Sequence, residues 1–187
     1  MRLEKYSTFI LIAVMAVLVV YAGCGYNFRA DGKPIGVEIK SLAIPLMTSS
    51  SSYKGFEADF TRIIREEFIS HSKIPIVTRE QAGAVLTGRI YEITTRPLTY
   101  DIQRQTVGGR TITHETTSSR RLKIRLDIRL TDRITGKLIW NDGSMEEEAR
   151  FDVGTDPLIN RYNQQQALRS IARLLAKRVY LKTMERF

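Results

Sequence analysis

The residues of this 187-residue chain that could carry out chemistry are few and widely separated. His71 and His114 have no neighbours at the spacing of a metal site. The run Glu146–Glu148 is predicted to lie in a strand, where consecutive side chains alternate between faces, so these neighbours cannot form a paired catalytic site. We expect the run to be solvated or to meet a basic partner surface. The common nucleophile and phosphate-loop motifs do not occur, so we predict no enzymatic activity and no cofactor.

Basic residues are the main chemical signal, since 29 Lys and Arg against 20 Asp and Glu give a formal charge of +9. From Arg121 the sequence RLKIRLDIRLTD alternates strictly, which predicts a strand with aliphatic residues on one face and charges on the other. Arginine binds phosphate through two parallel hydrogen bonds, and a strand spaces side chains about 6.5–7 Å apart on one face. We therefore predict an anionic, phosphate-bearing ligand, and the candidate residues are Arg104, Arg110, Arg121, Lys123, Arg125 and Arg129. For each of them, a charged face that only keeps the sheet soluble is the alternative.

The N-terminus has the pattern of an export signal. Arg2 and Lys5 precede an unbroken apolar run at residues 9–20. A secretory signal needs an apolar core of about 7–15 residues, whereas a membrane-spanning helix needs about 20. We predict a signal peptide at residues 1–23, with an uncleaved anchor helix as the alternative. Export, and the lack of aromatic residues interleaved with the basic ones, argue against a nucleic-acid partner.

The single cysteine, Cys24, directly follows this signal, behind Ala22 and Gly23. Here the chain resembles a bacterial lipoprotein precursor, whose cysteine is acylated and becomes the new N-terminus, although Tyr21 stands where leucine is usual. A buried free cysteine and a disulfide between two chains are the alternatives. Because two or more acyl chains give a stable anchor, we predict that covalent acyl chains at Cys24 attach the protein to membrane lipid.

The elements that must position the basic residues form one α+β domain at residues 37–187, behind a tether at 24–36. We predict the order β-α-β-β-β-α, with two amphipathic helices packed on one face of a four-stranded, mixed and mostly antiparallel sheet. The predicted strands are 37–47, 84–96 with an extension through LTYD, 121–132 and 137–151, and the predicted helices are 56–70 and about 164–184. The polar loop 48–54, the hairpin tip 101–119 and the segment 152–162 are expected at one end of the sheet, which is where binding sites usually lie.

Several of these segments together resemble the lipopolysaccharide-assembly lipoprotein family, LptE. The matching pieces are Cys24-Gly25-Tyr26 with Phe28, Leu42-Ala43-Ile44-Pro45, Phe60 through Glu67-Phe68, Ala84 to Gly88 with Pro97 and Tyr100-Asp101, Arg129-Leu130-Thr131-Asp132 with Gly136, Leu138 and Trp140, and Gln166-Ala167. The resemblance implies a non-enzymatic protein at the periplasmic face of the outer membrane. It also implies that the protein plugs and helps assemble the β-barrel LptD and contacts lipopolysaccharide. Gly25, rather than Asp, is consistent with sorting to the outer membrane.

Two functional hypotheses follow from the sequence. In the first, the protein is this plug and lipopolysaccharide-binding lipoprotein, with Cys24 as the anchor and the basic residues on the phosphates. In the second, it is a periplasmic accessory lipoprotein of another envelope transport complex and binds only protein. An envelope hydrolase would need a nucleophile beside a base, and the sequence offers none.

Overall fold

The domain is built from five strands and two helices in the part of the chain that the structure describes. The computed structural model describes residues 38–51, 53, 55–107 and 110–184, apart from the side chains of 103, 105–107 and 110–115. The elements are β1 Leu42–Ala43, β2 Thr48–Ser49, α1 Phe56–His71, β3 Ala84–Val107, β4 Arg110–Asp132, β5 Leu138–Asp152 and α2 Pro157–Met184. The predicted signal peptide 1–23, Cys24 and the tether 24–36 lie outside the described residues.

The sheet has the order β1-β3-β4-β5, and β2 also pairs with β3. The pairs β3–β4 and β4–β5 are antiparallel, whereas β1 and β2 run parallel to β3. The predicted class is therefore confirmed: an α+β fold with two helices packed against a mixed sheet. The single strand expected at 37–47 is instead two short strands, the second of them inside the predicted polar loop, so the sheet has five strands rather than four.

The core lies between the inner face of the sheet and the two helices. The aliphatic residues of β4 are fully buried on that inner face, as their alternation predicts: Leu122, Ile124, Leu126, Ile128 and Leu130. The helices cover them with one apolar stripe each, and the most deeply buried large side chains of these stripes are Phe60, Ile64 and Phe68 on α1 and Ile171, Leu175 and Val179 on α2. Phe68 also packs edge-on against Tyr180, with ring centroids 5.5 Å apart, which fastens the two helices together.

The edge of the sheet is interrupted between β1 and β2. Ala43 pairs with Val85 and Thr48 with Arg89, so the edge carries one more residue than β3 over this stretch. Pro45 has no N–H to donate, and the backbone around it bonds to α1 instead of β3. The Ile44 carbonyl accepts a hydrogen bond from Arg65 Nε at 2.8 Å. The chain therefore bulges away from β3, held by the helix.

The strands β3 and β4 continue well past the rest of the sheet, so much of the segment 101–119, expected as a hairpin tip, is paired strand. Pairing runs from Tyr100 opposite Thr117 to Val107 opposite Arg110, while β5 joins β4 only from Ser119 onward. We call the two-stranded part, Tyr100–Val107 with Arg110–Thr117, the ribbon. It is about 26 Å long at 3.3 Å per residue. Gly108 and Gly109, expected in its turn, lie outside the described residues.

The second helix begins at Pro157, seven residues before the predicted start. Asp156 caps it, since its Oδ1 accepts a hydrogen bond from the Leu158 N–H at 2.8 Å. Proline fits the first helical position, where its missing N–H is no loss. Much of the segment 152–162 is thus helical rather than a loop. None of the helices among the described residues is long and apolar enough to cross a membrane.

Candidate functional site

The basic residues predicted on β4 lie on the outer face of the sheet, opposite the helices. Arg121 and Arg129 are exposed, and Lys123 and Arg125 are half-buried. Lys123, Arg125 and Arg129 each lie between two fully buried aliphatic neighbours. The alternation of β4 thus places all four side chains as the sequence predicts. Their binding of an anionic ligand remains a prediction.

These four cations already have carboxylate partners within the chain. Lys123 Nζ lies 2.8 Å from Glu146 Oε1, and Arg125 Nε lies 2.8 Å from Glu146 Oε2. Arg125 Nη1 also lies 2.9 Å from Glu92 on β3. The remaining pairs are Arg121 with Glu148 at 3.5 Å and Arg129 with Asp127 at 2.7 Å. The centre of the outer face is therefore a mixed-charge network across three strands rather than a uniformly positive surface.

The protonation equilibria of the network reflect these contacts. The hydrogen bonds from Lys123 and then Arg125 hold the pKa of Glu146 below its usual value of 4.5. Conversely, the hydrogen bond to Glu146 and the charge of Glu92 raise the pKa of Arg125. Both shifts favour the charged forms, so each contact stabilises the ion pair of Glu146 with Arg125.

The acidic run of β5 thus faces the chain's own cations, where the sequence left open either solvent or a basic partner. Glu146 and Glu148 meet the cations of β4 on the outer face. Glu147 lies on the other side of the strand, where its Oε2 is 3.4 Å from Arg178 Nη1 of α2. This alternation confirms that consecutive glutamates do not form a paired site.

A row of three arginines crosses the outer face beside this network. Arg121 pairs in register with Arg96 of β3 on one side and with Arg150 of β5 on the other. Arg121 is near Glu148, and Arg150 is 3.5 Å from Asp152. Among the described residues, no carboxylate lies within 4 Å of Arg96. Arg96 and Arg150 were not among the residues predicted from the sequence, although the alternation of all three strands, once aligned, places them on the same face as Arg121.

The ribbon carries a second basic site of a different kind. Tyr100, Ile102 and Arg104 occupy alternate positions of β3, so they share one face of the ribbon. All three are exposed, Tyr100 at 56% and Ile102 at 61%. This face therefore presents an aromatic ring, an aliphatic side chain and a guanidinium in a row, which suits a ligand that is both anionic and apolar.

The six predicted residues do not form one patch. Arg104 lies eight positions along β3 from Arg96, the partner of Arg121, which is about 26 Å at 3.3 Å per residue. Arg110 lies opposite Val107 at the end of the ribbon, and its side chain is outside the described part. The candidates therefore divide into a ribbon group and a β4 group.

Of the two histidines, only His71 has a described side chain, and it contacts its own helix. His71 ends α1, where Nδ1 lies 3.0 Å from the Glu67 carbonyl, while the side chain of His114 is outside the described residues. Within the described ranges, no three His, Cys, Asp or Glu side chains are arranged to hold a metal ion.

The chain was compared with curated proteins and with solved structures. No curated protein matches the chain significantly. Among solved structures, a lipoprotein from Caulobacter crescentus CB15 is 13% identical, with a TM-score of 0.46 over 74% of this chain and 87% of that one. The rare lipoprotein B from Shewanella oneidensis is 17% identical, with a TM-score of 0.43 over 77% of this chain and 93% of that one. Likenesses at this level carry no functional inference.

The family comparison is more specific. The model of the lipopolysaccharide-assembly family, LptE, matches residues 39–183, which include every described strand and all but the last residue of α2. The match therefore extends over the whole sheet and both helices, and the resemblance seen in the sequence is confirmed. The chain belongs to the lipopolysaccharide-assembly family LptE.

Proposed function

We propose that this protein is a lipid-anchored subunit of the machinery that exports lipopolysaccharide. It plugs and helps assemble an LptD-type β-barrel and binds lipopolysaccharide on its way to the cell surface. Acyl chains on Cys24 hold it at the periplasmic face of the outer membrane, and it acts without catalysis or a cofactor. The observation that carries this proposal is the family match over residues 39–183.

The ribbon supplies the face on which lipopolysaccharide binds. Lipopolysaccharide combines phosphate groups with acyl chains, and the exposed row Tyr100, Ile102 and Arg104 offers both kinds of contact. Arginine can hold a phosphate through two hydrogen bonds, while the aromatic and aliphatic neighbours cover apolar surface. Arg110 at the end of the ribbon is a further candidate.

The β4 residues differ in how readily they can contact phosphate. Arg125 is held by two carboxylates at 2.8 and 2.9 Å, so we assign it, with Lys123, mainly to the network. Arg121 has one partner at 3.5 Å and an arginine on each side. An exposed ion pair contributes only about 0–1 kcal/mol, so a phosphate can displace Glu148 from Arg121. We therefore rank Arg104 and Arg121 first, ahead of Arg129.

The open edges of the ribbon support association with another protein. No described strand pairs with the outer edge of β3 or β4 within the ribbon. A two-stranded hairpin is only marginally stable in water, and unpaired edges are common sites of contact between proteins. Contact with the wall of a barrel partner would cover these edges.

A titration with lipopolysaccharide tests the ligand-binding part. The full chain in nonionic detergent is compared with Arg104→Glu/Arg121→Glu and with the control Arg169→Glu/Arg173→Glu, which makes the same charge change on exposed residues of α2. Affinity should fall at least about tenfold in the first variant only, because a hydrogen bond between charged groups contributes about 1.5–3 kcal/mol. The affinity of the unaltered chain should also fall with added salt. Equal affinities in the two variants would refute the assignment of these two arginines.

The alternative, an accessory lipoprotein that binds only protein, is favoured by one observation. The cations of β4 are largely neutralised by Glu92, Glu146 and Glu148 of the same chain. Purification of the tagged full chain from outer membranes separates the two functions: recovery of a large β-barrel supports the first, and an inner-membrane transporter without a barrel supports the second. Mass spectrometry of the mature N-terminus tests the anchor, since an unmodified Cys24 would contradict it.

A further inference from the structure

A second group of arginines surrounds an open cleft on the outer face of the sheet, near the interruption between β1 and β2. The cleft has a volume of about 500 Å³. The residues of interest in its lining are Leu46, Arg79, Thr87, Arg89, Asp127 and Arg129. We call this site the arginine cleft. Arg79 and Arg89 were not among the residues predicted from the sequence.

The described residues that line the arginine cleft carry an excess of positive charge. Arg129 is paired with Asp127 at 2.7 Å. Within the described part of the chain, no carboxylate lies within 4 Å of Arg79 or Arg89. Three guanidinium groups and one carboxylate leave a net charge of +2. The centre of β4 is different, because each of its cations has a carboxylate partner there.

The fold positions the wall of this cleft. Thr87 and Arg129 are opposite each other on β3 and β4, and Arg89 is opposite Asp127, so the four residues form two adjacent cross-strand pairs. The bulge at Pro45 and Leu46 closes one side of the cleft. That bulge is fixed from the other side, where Arg65 and Thr61 of α1 bind the backbone of Ile44 and Met47. The cleft is therefore formed by the interrupted edge of the sheet, which hydrogen bonds to α1 hold in place.

We propose that the arginine cleft binds a phosphate monoester or pyrophosphate group. Guanidinium groups match phosphate oxygens in charge and in geometry, and the Thr87 hydroxyl adds a donor on the same wall. Leu46, which is 62% exposed, adds an apolar contact at the rim that a lipid-linked phosphate can use. The cleft lies about 36 Å along β3 from the start of the ribbon, so it is a separate site. The proposal rests on the proposed function only for the lipid source of the phosphate.

Binding of inorganic pyrophosphate tests the site directly. Calorimetric titration of the full chain in nonionic detergent is compared with Arg79→Gln/Arg89→Gln/Arg129→Gln. The control is Arg169→Gln/Arg173→Gln/Lys177→Gln, which removes the same charge from exposed positions of α2. We expect binding to weaken at least tenfold in the cleft variant and less than twofold in the control. Absence of binding to the unaltered chain, or equal losses in both variants, would overturn the proposal.

A second variant keeps all three arginines and changes only their environment. Thr87→Glu places a carboxylate beside Arg129 on the wall of the cleft, where it competes with the ligand. Pyrophosphate binding should fall at least tenfold while the melting temperature stays close to that of the unaltered chain. Unchanged binding in this variant would contradict a phosphate site at this wall.

The source of the phosphate is distinguished by a second arm with detergent micelles that contain lipid A. Tighter binding to lipid A than to pyrophosphate, reduced by Leu46→Ser in the lipid arm alone, assigns the site to a lipid headgroup. Equal binding in both arms assigns it to free phosphate. If the chain co-purifies with a barrel but binds no pyrophosphate, phosphate binding at the cleft is refuted and the proposed function is not. Pyrophosphate binding without a barrel partner overturns only the proposed function.

Discussion

Thr61 of α1 binds the interrupted edge of the sheet between β1 and β2. Removing its hydroxyl should therefore lower the stability of the domain at this contact. Its Oγ1 accepts a hydrogen bond from the Met47 N–H at 2.9 Å and donates one to the Glu57 carbonyl at 2.6 Å. Thr61 is 2% exposed and Met47 is 1% exposed, so water cannot replace the lost partner. In Thr61→Val the shape is kept, but the Met47 N–H is left buried and unpaired.

Such an unpaired group costs about 1–3 kcal/mol in the free energy of unfolding. For a domain of this size, the melting temperature should then fall by about 2–12 °C. Amide exchange at Met47 is the sharper measurement, because it reports the affected hydrogen bond itself. Exchange there should accelerate by roughly 5- to 150-fold, since each ~1.4 kcal/mol is a factor of ten.

Thr61→Ser is the matched control, because it keeps the hydroxyl and loses only a methyl group. It should cost about 0.8 kcal/mol and leave the exchange rate at Met47 close to that of the unaltered chain. If Thr61→Val exchanges at Met47 as slowly as Thr61→Ser, the hydrogen bond does not hold the bulge. In that case α1 would not fix the wall of the arginine cleft through Thr61.

Three further predictions concern the core, the charge network and the hairpin between β4 and β5. Phe68→Ala should lower the free energy of unfolding by about 3–5 kcal/mol in denaturant titrations, and the exposed control Ile69→Ala by less than about 0.5 kcal/mol. Because the pKa of Glu146 is lowered in the folded state, its stabilising effect should be constant above its usual value of 4.5 and decline as pH falls through the folded pKa. The difference in unfolding free energy between the unaltered chain and Glu146→Gln should therefore shrink in acid, and a constant difference would contradict the network. Gly136 has φ of 70° and open space around its Cβ position, so Gly136→Ala should cost only the backbone strain of about 1–2 kcal/mol, and a stabilised variant would contradict this.

Secondary structure is predicted best from the sequence where burial of one face makes apolar residues recur at a fixed spacing. The alternation from Leu122 to Leu130 identifies the inner and outer faces of β4, and the spacing of the apolar residues predicts α1 to within one residue of its end. Burial of one face is the physical cause in both, so the pattern is directly visible in the amino acids. The family resemblance, read from short segments in order, is confirmed as well.

The sequence predicts less well where elements form without burial. The ribbon was expected to be a hairpin tip, because its sequence is polar and rich in threonine, whereas the described backbone pairs there as two strands. The start of α2 was missed because Leu158 and Ile159 are exposed, although Asp156 and Pro157 were a usable capping signal. The ion pairs of β4 depend on register, which single-strand patterns do not contain.

Photocrosslinking from the ribbon tests whether lipopolysaccharide binds there. A benzoylphenylalanine is placed at Ile102, and in a control at Leu174, an exposed aliphatic residue of α2. Cells that make lipopolysaccharide are irradiated, and the purified chain is probed with an antibody against lipopolysaccharide. We expect an adduct from position 102 and none from position 174. Equal adducts at both positions, or none at 102 from a chain that co-purifies with its barrel, would contradict lipopolysaccharide binding at the ribbon.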